Sequence, residues 1–200
     1  MGADARPGRG VTVLAGPAAV GKGTVVACLR QRYPRIWVSV SVTTRRPRAR
    51  EVDGVHYHFV DDAAFDRLIA DGQLLEYAVV HGAARYGTPR QPVLDTVATG
   101  RPALLEIDLQ GARAVRGGLP GARFVFLAPP SWDELVHRLV GRGTEPAQER
   151  ERRLVTARRE LAAAAEFDLV VVNDDLDRAC DEVAAAMGLA TGLPSGGRGD

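Results

Sequence analysis

Apolar positions along the chain form short unbroken runs, separated by longer stretches with helical spacing. Four such runs cover residues 11–15, 103–107, 124–127 and 169–172. Runs of this length without alternation are typical of strands buried on both faces of a parallel sheet. Because helix-like stretches separate them, the pattern predicts an α/β fold built around a parallel sheet.

Local signals delimit three helices. Residues 24–32 carry helical spacing, and a Tyr-Pro pair ends it. Ser131 and Glu134 form a capping box that opens a second helix. Residues 176–187 form the last predicted helix. The first apolar run and the first helix therefore predict a strand, a loop and a helix in succession.

The loop between that strand and helix is rich in glycine and contains Lys22, the one lysine in a chain with 25 arginines. An ammonium on a flexible stem can reach between two phosphates, whereas a guanidinium suits bidentate pairing with one. The loop matches the P-loop pattern, except that Gly23 stands where serine or threonine is usual and Thr24 follows it. The backbone N–H groups of such a turn bind phosphate oxygens. The pattern therefore predicts a nucleotide-dependent phosphoryl-transfer enzyme.

The absence of a hydroxyl at Gly23 leaves the metal ligands open. Either Thr24 or water takes the Mg²⁺ position that this side chain commonly fills. The apolar run 103–107 leads into Glu106 and Asp108, a candidate Walker B element for the metal or for the acceptor. The alternative is that these acids simply end a strand.

Two stretches concentrate arginine. Arg45 and Arg48 follow a strand-like segment, and a cluster of this kind binds phosphate bidentately, although a solvated basic turn is the alternative. Residues 141–160 interleave arginine with glutamate, as a solvent-facing helix with i,i+4 pairs does. The candidates for a lid that closes over phosphates are Arg138, Arg142 and Arg153.

Composition narrows the class of protein. A chain of 200 residues suits one domain with small insertions, and a net charge of +1 argues against a nucleic-acid binder that relies on bulk charge. Cys28 and Cys180 provide neither metal-ligand spacing nor a disulfide framework, which favours a reducing cytoplasm. The near-zero net charge favours a small-molecule partner. No apolar segment has the length of a membrane span or the form of a signal core, so we expect no membrane.

Several motifs that occur in order along the chain together resemble guanylate kinase, a P-loop nucleoside monophosphate kinase. They cover residues 16–24, 39–48, 51–57, 86–88, 106–108, 128–131, 141–144 and 172–175. The resemblance runs from about residue 11 to residue 188. It implies a P-loop NTPase three-layer α/β core with a parallel sheet, an inserted GMP-binding subdomain and a helical lid.

The resemblance also implies boundaries. The core would comprise residues 11–36, 90–140 and 158–188, the GMP-binding subdomain residues 37–89, and the lid residues 141–157. Residues 1–10 would form a flexible N-terminus, and residues 189–200, with their glycines and little to bury, a disordered tail.

By this resemblance the protein would transfer a phosphoryl group from ATP to GMP, and to dGMP, with Mg²⁺, giving ADP and the diphosphate. Glu76, Thr88 and Asp108 would read guanine, because a carboxylate suits the paired donor edge that adenine lacks. The ATP-binding residues would be Gly16, Pro17, Ala18, Ala19, Val20, Gly21, Lys22, Gly23, Thr24 and Asn173. The GMP-binding residues would be Ser41, Arg45, Arg48, Tyr57, Glu76, Tyr86, Thr88 and Asp108. The catalytic residues would be Lys22, Arg45, Arg138, Arg142 and Arg153.

The chain departs from the family pattern at a few positions, and two other functions stay open. Ala18 and Ala19 replace the common Ser-Gly, Arg50 replaces a glycine, and residues 83–85 differ as well. A related P-loop kinase with a ribose bisphosphate acceptor is one alternative, and a non-catalytic guanylate-kinase-like binding module is the other. Glu76 and Thr88 favour guanine over the first.

Overall fold

The computed structural model describes residues 8–80, 84–140 and 147–189. Its strands are β1 (Val11–Ala15), β2 (Trp37–Val38), β3 (Val42–Thr43), β4 (His58–Phe59), β5 (Leu74–Val80), β6 (Ala84–Pro89), β7 (Ala103–Glu106), β8 (Arg123–Ala128) and β9 (Leu169–Val172). Its helices are α1 (Lys22–Arg32), α2 (Asp62–Ala70), α3 (Arg90–Ala98), α4 (Leu109–Gly118), α5 (Trp132–Val140), α6 (Ala147–Ala162) and α7 (Leu176–Ala186), with a 3₁₀ turn at Ala163–Glu166.

Five strands form a parallel sheet in the order β2, β7, β1, β8, β9. Successive residues of β1 point to opposite faces: Leu14 packs with residues of α1 and α7, while Val13 and Ala15 pack with residues of α3 and α4. Helices therefore cover both faces, which explains why the strands appear in the sequence as unbroken apolar runs. The predicted α/β three-layer core with a parallel sheet is confirmed.

A second sheet has the order β4, β3, β6, β5 and mixes directions, because β3 and β4 run parallel while β6 pairs antiparallel with β3 and β5. Helix α2 packs on it through the fully buried Phe65, which contacts Val42 and Leu74. All four strands fall within residues 42–89, whereas β2 lies in the larger sheet. The exact domain boundaries stay a prediction.

Helices α5 and α6 pack together around Leu135, Leu139 and Ala157. Helix α5 begins after Ser131, whose Oγ accepts a hydrogen bond from the Glu134 N–H at 3.1 Å, as the capping box predicts. The Glu134 carboxylate, however, accepts from Arg138 instead of completing the box.

Some predicted segments lie outside the described residues. These are residues 1–7 of the predicted flexible N-terminus, residues 141–146 at the start of the predicted lid, and residues 190–200 of the predicted disordered tail. Within the described part of the chain, no helix combines the length and the apolar character needed to cross a membrane.

Candidate active site

The turn between β1 and α1 has a shape that two of its glycines require. A Cβ on Gly16 would lie 2.3 Å from the Leu127 carbonyl oxygen, and a Cβ on Gly21 would lie 2.5 Å from Asn173 Nδ2. Gly21 also has φ of 100°, in the left-handed region that glycine adopts readily. Ala19 is exposed at the tip of the turn, with φ of 62°. The loop backbone is thus packed closely against the ends of two strands.

Two side chains brace the carbonyl oxygen of Val20 within this turn. Asn173, which follows β9 and is buried, donates from Nδ2 at 2.8 Å. Arg138 donates from Nη1 at 3.4 Å, while its Nε donates to Glu134 Oε1 at 2.8 Å. The structure therefore places Asn173, predicted to bind ATP, and Arg138, predicted to be catalytic, against the P-loop backbone.

Lys22 begins α1, and its ammonium folds back over the loop. It donates hydrogen bonds to the carbonyl oxygens of Gly16 at 2.7 Å and Pro17 at 3.1 Å. Burial lowers the pKa of Lys22, because removal from water disfavours the charged form. Three carboxylates oppose that shift: Glu106, Glu160 and Asp108. The positive charge of Lys22 is therefore stabilised by these three carboxylates.

A buried hydrogen-bonded pair joins β5 and β6. Glu76 and Thr88 are register partners, and the Thr88 hydroxyl donates to Glu76 Oε1 at 2.6 Å. Glu76 is only 6% exposed, and burial raises its pKa to about 7, with the nearby charge of Asp108 acting in the same direction. Asp108 caps α4, because its Oδ1 accepts from the Gly111 N–H at 2.8 Å. These side chains bring carboxylate oxygens from both sheets together.

Arg45 is held by several partners. Its Nε donates to the Tyr86 hydroxyl at 3.0 Å, its Nη2 donates to Glu51 Oε1 at 2.8 Å, and Nη1 donates to a neighbouring carbonyl. The guanidinium also lies over the Tyr57 ring, 5.4 Å from its centroid. The Arg45 hydrogen bond, together with one from the Arg48 backbone N–H, lowers the pKa of Glu51 to about 2. Glu51 therefore remains a carboxylate that orients Arg45.

Some of these groups line a pocket of about 980 Å³ between the two sheets, whereas Arg45, Thr88, Arg138 and Asn173 do not line it. Lys22, Gly23 and Glu106 line one part of it. The predicted acceptor-binding residues that line the pocket are Ser41, Arg48, Tyr57, Glu76, Tyr86 and Asp108. The Ser39 hydroxyl also lines it and is buried without a hydrogen-bond partner among the described residues. The structure thus places Lys22 and Glu76 in the lining of the same cavity.

Comparison with known proteins identifies the family. The family model described as guanylate kinase matches residues 8–189. A guanylate kinase of Leifsonia xyli is 62% identical over 177 residues, which cover 88% of this chain and 70% of that protein. One of Thermobifida fusca is 60% identical, covering 88% of this chain and 90% of that protein. A solved guanylate kinase structure from Anaplasma phagocytophilum matches with a TM-score of 0.72 at 32% identity, covering 92% of this chain and 86% of that one.

The chain belongs to the guanylate kinase family. It is a transferase, a nucleotide-binding kinase of the nucleoside monophosphate class. The resemblance inferred from its ordered motifs is confirmed. The roles of individual residues stay predictions.

Guanylate kinases, as kinases, use a metal ion with ATP, and Mg²⁺ is the ion that we predict. This ion takes oxygen ligands, often one or two carboxylates with phosphates and water. Glu106 and Asp108, which line the pocket as Gly23 does, offer two carboxylates of this kind, whereas Thr24 is exposed and does not line it. Within the described ranges, no group of three or more His, Cys, Asp or Glu side chains is arranged to hold a metal.

Other predicted residues lie farther from the pocket lining. Thr88 contributes through Glu76, and Arg153 lies on α6. Arg142 lies outside the described residues. Ala18, one of the departures from the guanylate kinase pattern, packs against the cluster between α5 and α6.

Sequence reasoning missed three residues of the site. Glu51 begins the motif at residues 51–57, and its position three residues after Arg48 was a signal that could have indicated its hydrogen bond from the Arg48 backbone N–H. Gly111 allows Glu76 to approach α4, because a Cβ at Gly111 would lie 2.8 Å from Glu76 Oε2. Glu160 reaches the P-loop from a distant helix. No local pattern marks the last two residues.

Proposed function

We propose that the protein transfers the γ-phosphoryl group of ATP to GMP, and to dGMP, giving ADP and the corresponding diphosphate. The observation that carries this proposal is the buried Glu76–Thr88 pair in a pocket that also contains the P-loop lysine. At one end of the pocket the Glu76 carboxylate can accept hydrogen bonds from a nucleobase, and at the other end Lys22 offers a positive charge for phosphates. That arrangement suits a base-specific phosphoryl transfer.

Guanine would be read by Glu76, Thr88 and Asp108. A carboxylate at Glu76 accepts from the N1 and exocyclic N2 hydrogens of guanine, a pair of donors that adenine lacks. Because Glu76 is buried, a nucleotide that leaves its oxygens without these donors would bind weakly. Thr88 supports the preference for guanine, because its hydroxyl holds Glu76 Oε1 in place through a hydrogen bond of 2.6 Å.

The acceptor phosphate would be bound by Ser41, Arg45, Arg48, Tyr57 and Tyr86. Arg45 already has fixed orientation, because Glu51 and Tyr86 hold separate nitrogens of its guanidinium. A guanidinium held in this way can bind phosphate oxygens without first being ordered. The Arg48 side chain and the Ser41 hydroxyl line the same cavity.

Catalysis would rest on positioning and electrostatic stabilisation. Lys22 would neutralise charge on the ATP phosphates, and the arginines assigned to the transferring group are Arg45, Arg138, Arg142 and Arg153. GMP brings its own nucleophilic phosphate oxygen, so the reaction needs neither a covalent intermediate nor a dedicated general base. Mg²⁺ bound with ATP would supply further charge neutralisation, with Glu106 and Asp108 as its candidate protein ligands and Thr24 as a further one.

The decisive experiment is a steady-state assay with ATP and four acceptors: GMP, dGMP, AMP and ribose 1,5-bisphosphate. We expect GMP to give the highest kcat/KM and dGMP measurable turnover. Equal or better turnover of AMP or ribose 1,5-bisphosphate would overturn the acceptor assignment. Binding of GMP without any turnover would instead indicate a non-catalytic module.

The small number of cysteines, Cys28 and Cys180, supports a cytoplasmic location.

A further inference from the structure

Helix α6 places one carboxylate at the tip of the P-loop. Glu160 Oε2 accepts a hydrogen bond from the Ala18 N–H at 3.4 Å, although 142 positions separate the two residues in sequence. The Ala18 side chain packs on the α5–α6 cluster that includes Leu135 and Ala157. The loop tip is therefore attached to the α5–α6 pair by both its backbone and its methyl group.

The charge of Glu160 acts on the same lysine that would bind ATP. Glu160 is half-buried, and burial raises its pKa, while Lys22 and the Ala18 hydrogen bond oppose that shift. Conversely, Glu160 is one of the carboxylates that favour the charged form of Lys22. The N–H groups and the lysine of a P-loop form a site for anions. In this structure a side-chain carboxylate takes up part of that site.

We propose that Glu160 is an internal anion that occupies the tip of the P-loop in the nucleotide-free protein and is displaced when the phosphates of ATP bind. This inference rests on the proposed use of ATP at this loop. The exchange replaces one anionic partner of the Ala18 N–H and Lys22 by another. It makes Glu160 a positioning residue that sets nucleotide affinity and takes no part in the chemical step.

Like-charge repulsion drives the exchange. A carboxylate and a polyphosphate cannot share one small site of N–H donors and a single ammonium without a large electrostatic cost. Nucleotide binding must therefore move the Glu160 carboxylate away from the loop. Arg153 precedes Glu160 by seven residues, two turns on the same helix, so both lie on one face of α6. The helix face that contacts the loop tip through Glu160 thus also carries a predicted catalytic arginine.

The test compares Glu160→Gln with the wild-type protein and with Glu151→Gln, an exposed position on the same helix. Isothermal titration calorimetry with ADP, ATP and GMP in the presence of Mg²⁺ gives each Kd. We expect Glu160→Gln to bind ADP and ATP about tenfold more tightly, because the competing charge is gone. The Kd for GMP and all constants of Glu151→Gln should match wild type.

Steady-state kinetics provide a second readout. Tighter ADP binding slows product release, so KM for ATP and kcat should fall together in Glu160→Gln while KM for GMP is unchanged. Glu160→Ala removes both the charge and the hydrogen bond to the Ala18 N–H, and we expect it to tighten ADP binding as well. Tighter binding in both variants would show that the lost charge is responsible. Unchanged or weaker ADP binding in the folded variants would overturn the inference. Failure of the wild-type protein to bind ATP would instead overturn the proposed function.

Discussion

Gly111 lies so close to Glu76 that a Cβ at this glycine would be 2.8 Å from Glu76 Oε2 and 3.1 Å from Cδ. Gly111 is in the first turn of α4, a position where alanine favours the helix by roughly 1 kcal/mol. A residue with low helix propensity is therefore present where the approach of a carboxylate requires it. Helix α4, which packs on the larger sheet, meets β5 of the smaller sheet at this contact.

We predict that Gly111→Ala raises KM for GMP at least about tenfold, because displacement of Glu76 by even a few tenths of an ångström disturbs its hydrogen bonds to guanine. KM for ATP should stay within about twofold. The matched control is Gly117→Ala in the same helix, where a Cβ meets nothing within 4 Å. Unaltered GMP kinetics in Gly111→Ala would show that Glu76 does not read the base.

The sequence alone predicts much of this fold but only part of the site. The runs that became β1 and β9 were delimited to the residue, although only β1 is buried throughout, whereas β9 lies at the edge of the sheet and buries only Val171. The P-loop could be predicted because its glycines and lysine are adjacent in the chain. Gly111 and Glu160 could not, since their contacts join segments far apart in sequence and depend on how the sheets and helices pack.

The second prediction concerns the pH dependence of GMP use. Burial raises the pKa of Glu76 to about 7 in the empty site, and guanine recognition requires the carboxylate. We therefore expect kcat/KM for GMP to fall as the pH drops below about 7, with KM for ATP much less affected. Glu76→Gln should lack this pH step and have a much higher KM for GMP at every pH. A flat profile between about pH 6 and pH 8 would contradict the assignment.

Glu76 also carries a prediction for stability. Its pKa in the folded state lies above the ordinary value of 4.5, so folding favours the protonated form. The stability that this group contributes is complete below pH about 4.5 and is lost as the pH rises through about 7. Glu76→Gln should therefore be more stable than wild type at pH 8, by on the order of 2 kcal/mol, and nearly equal at pH 5.

Thermal or urea unfolding at the two pH values measures this difference. Thr88→Val provides the comparison, since it keeps the carboxylate and removes the hydroxyl that donates to it. It should lower stability most at pH 8, where the Glu76 charge is left without that partner. An equal effect of Glu76→Gln at pH 5 and pH 8 would exclude titration of Glu76 as the cause.

The fourth prediction concerns Gly23. A Cβ at this position would have no heavy atom within 4 Å, so a side chain fits without rearrangement. We expect Gly23→Ser to lower the Mg²⁺ concentration for half-maximal activity several-fold, because it restores the hydroxyl that P-loops commonly use for the metal. Gly23→Ala is the control, since it improves helix propensity by up to about 1 kcal/mol without supplying a ligand. If both variants shift the Mg²⁺ requirement equally, helix stability and not coordination is responsible.

The last prediction concerns Lys22. Its ammonium donates to two carbonyl oxygens of the loop, Gly16 and Pro17, and has no place in the apolar clusters of the core. We expect Lys22→Ala to lower kcat by about 10²- to 10³-fold, or roughly 3–4 kcal/mol of transition-state stabilisation, with the unfolding temperature changed little. Lys22→Arg keeps a positive charge but replaces a compact ammonium by a planar fork, so it should recover only a small part of the rate. Near-normal turnover in Lys22→Ala would refute a catalytic role for this residue, and full rescue by arginine would show that charge alone, without the geometry of the ammonium, is sufficient.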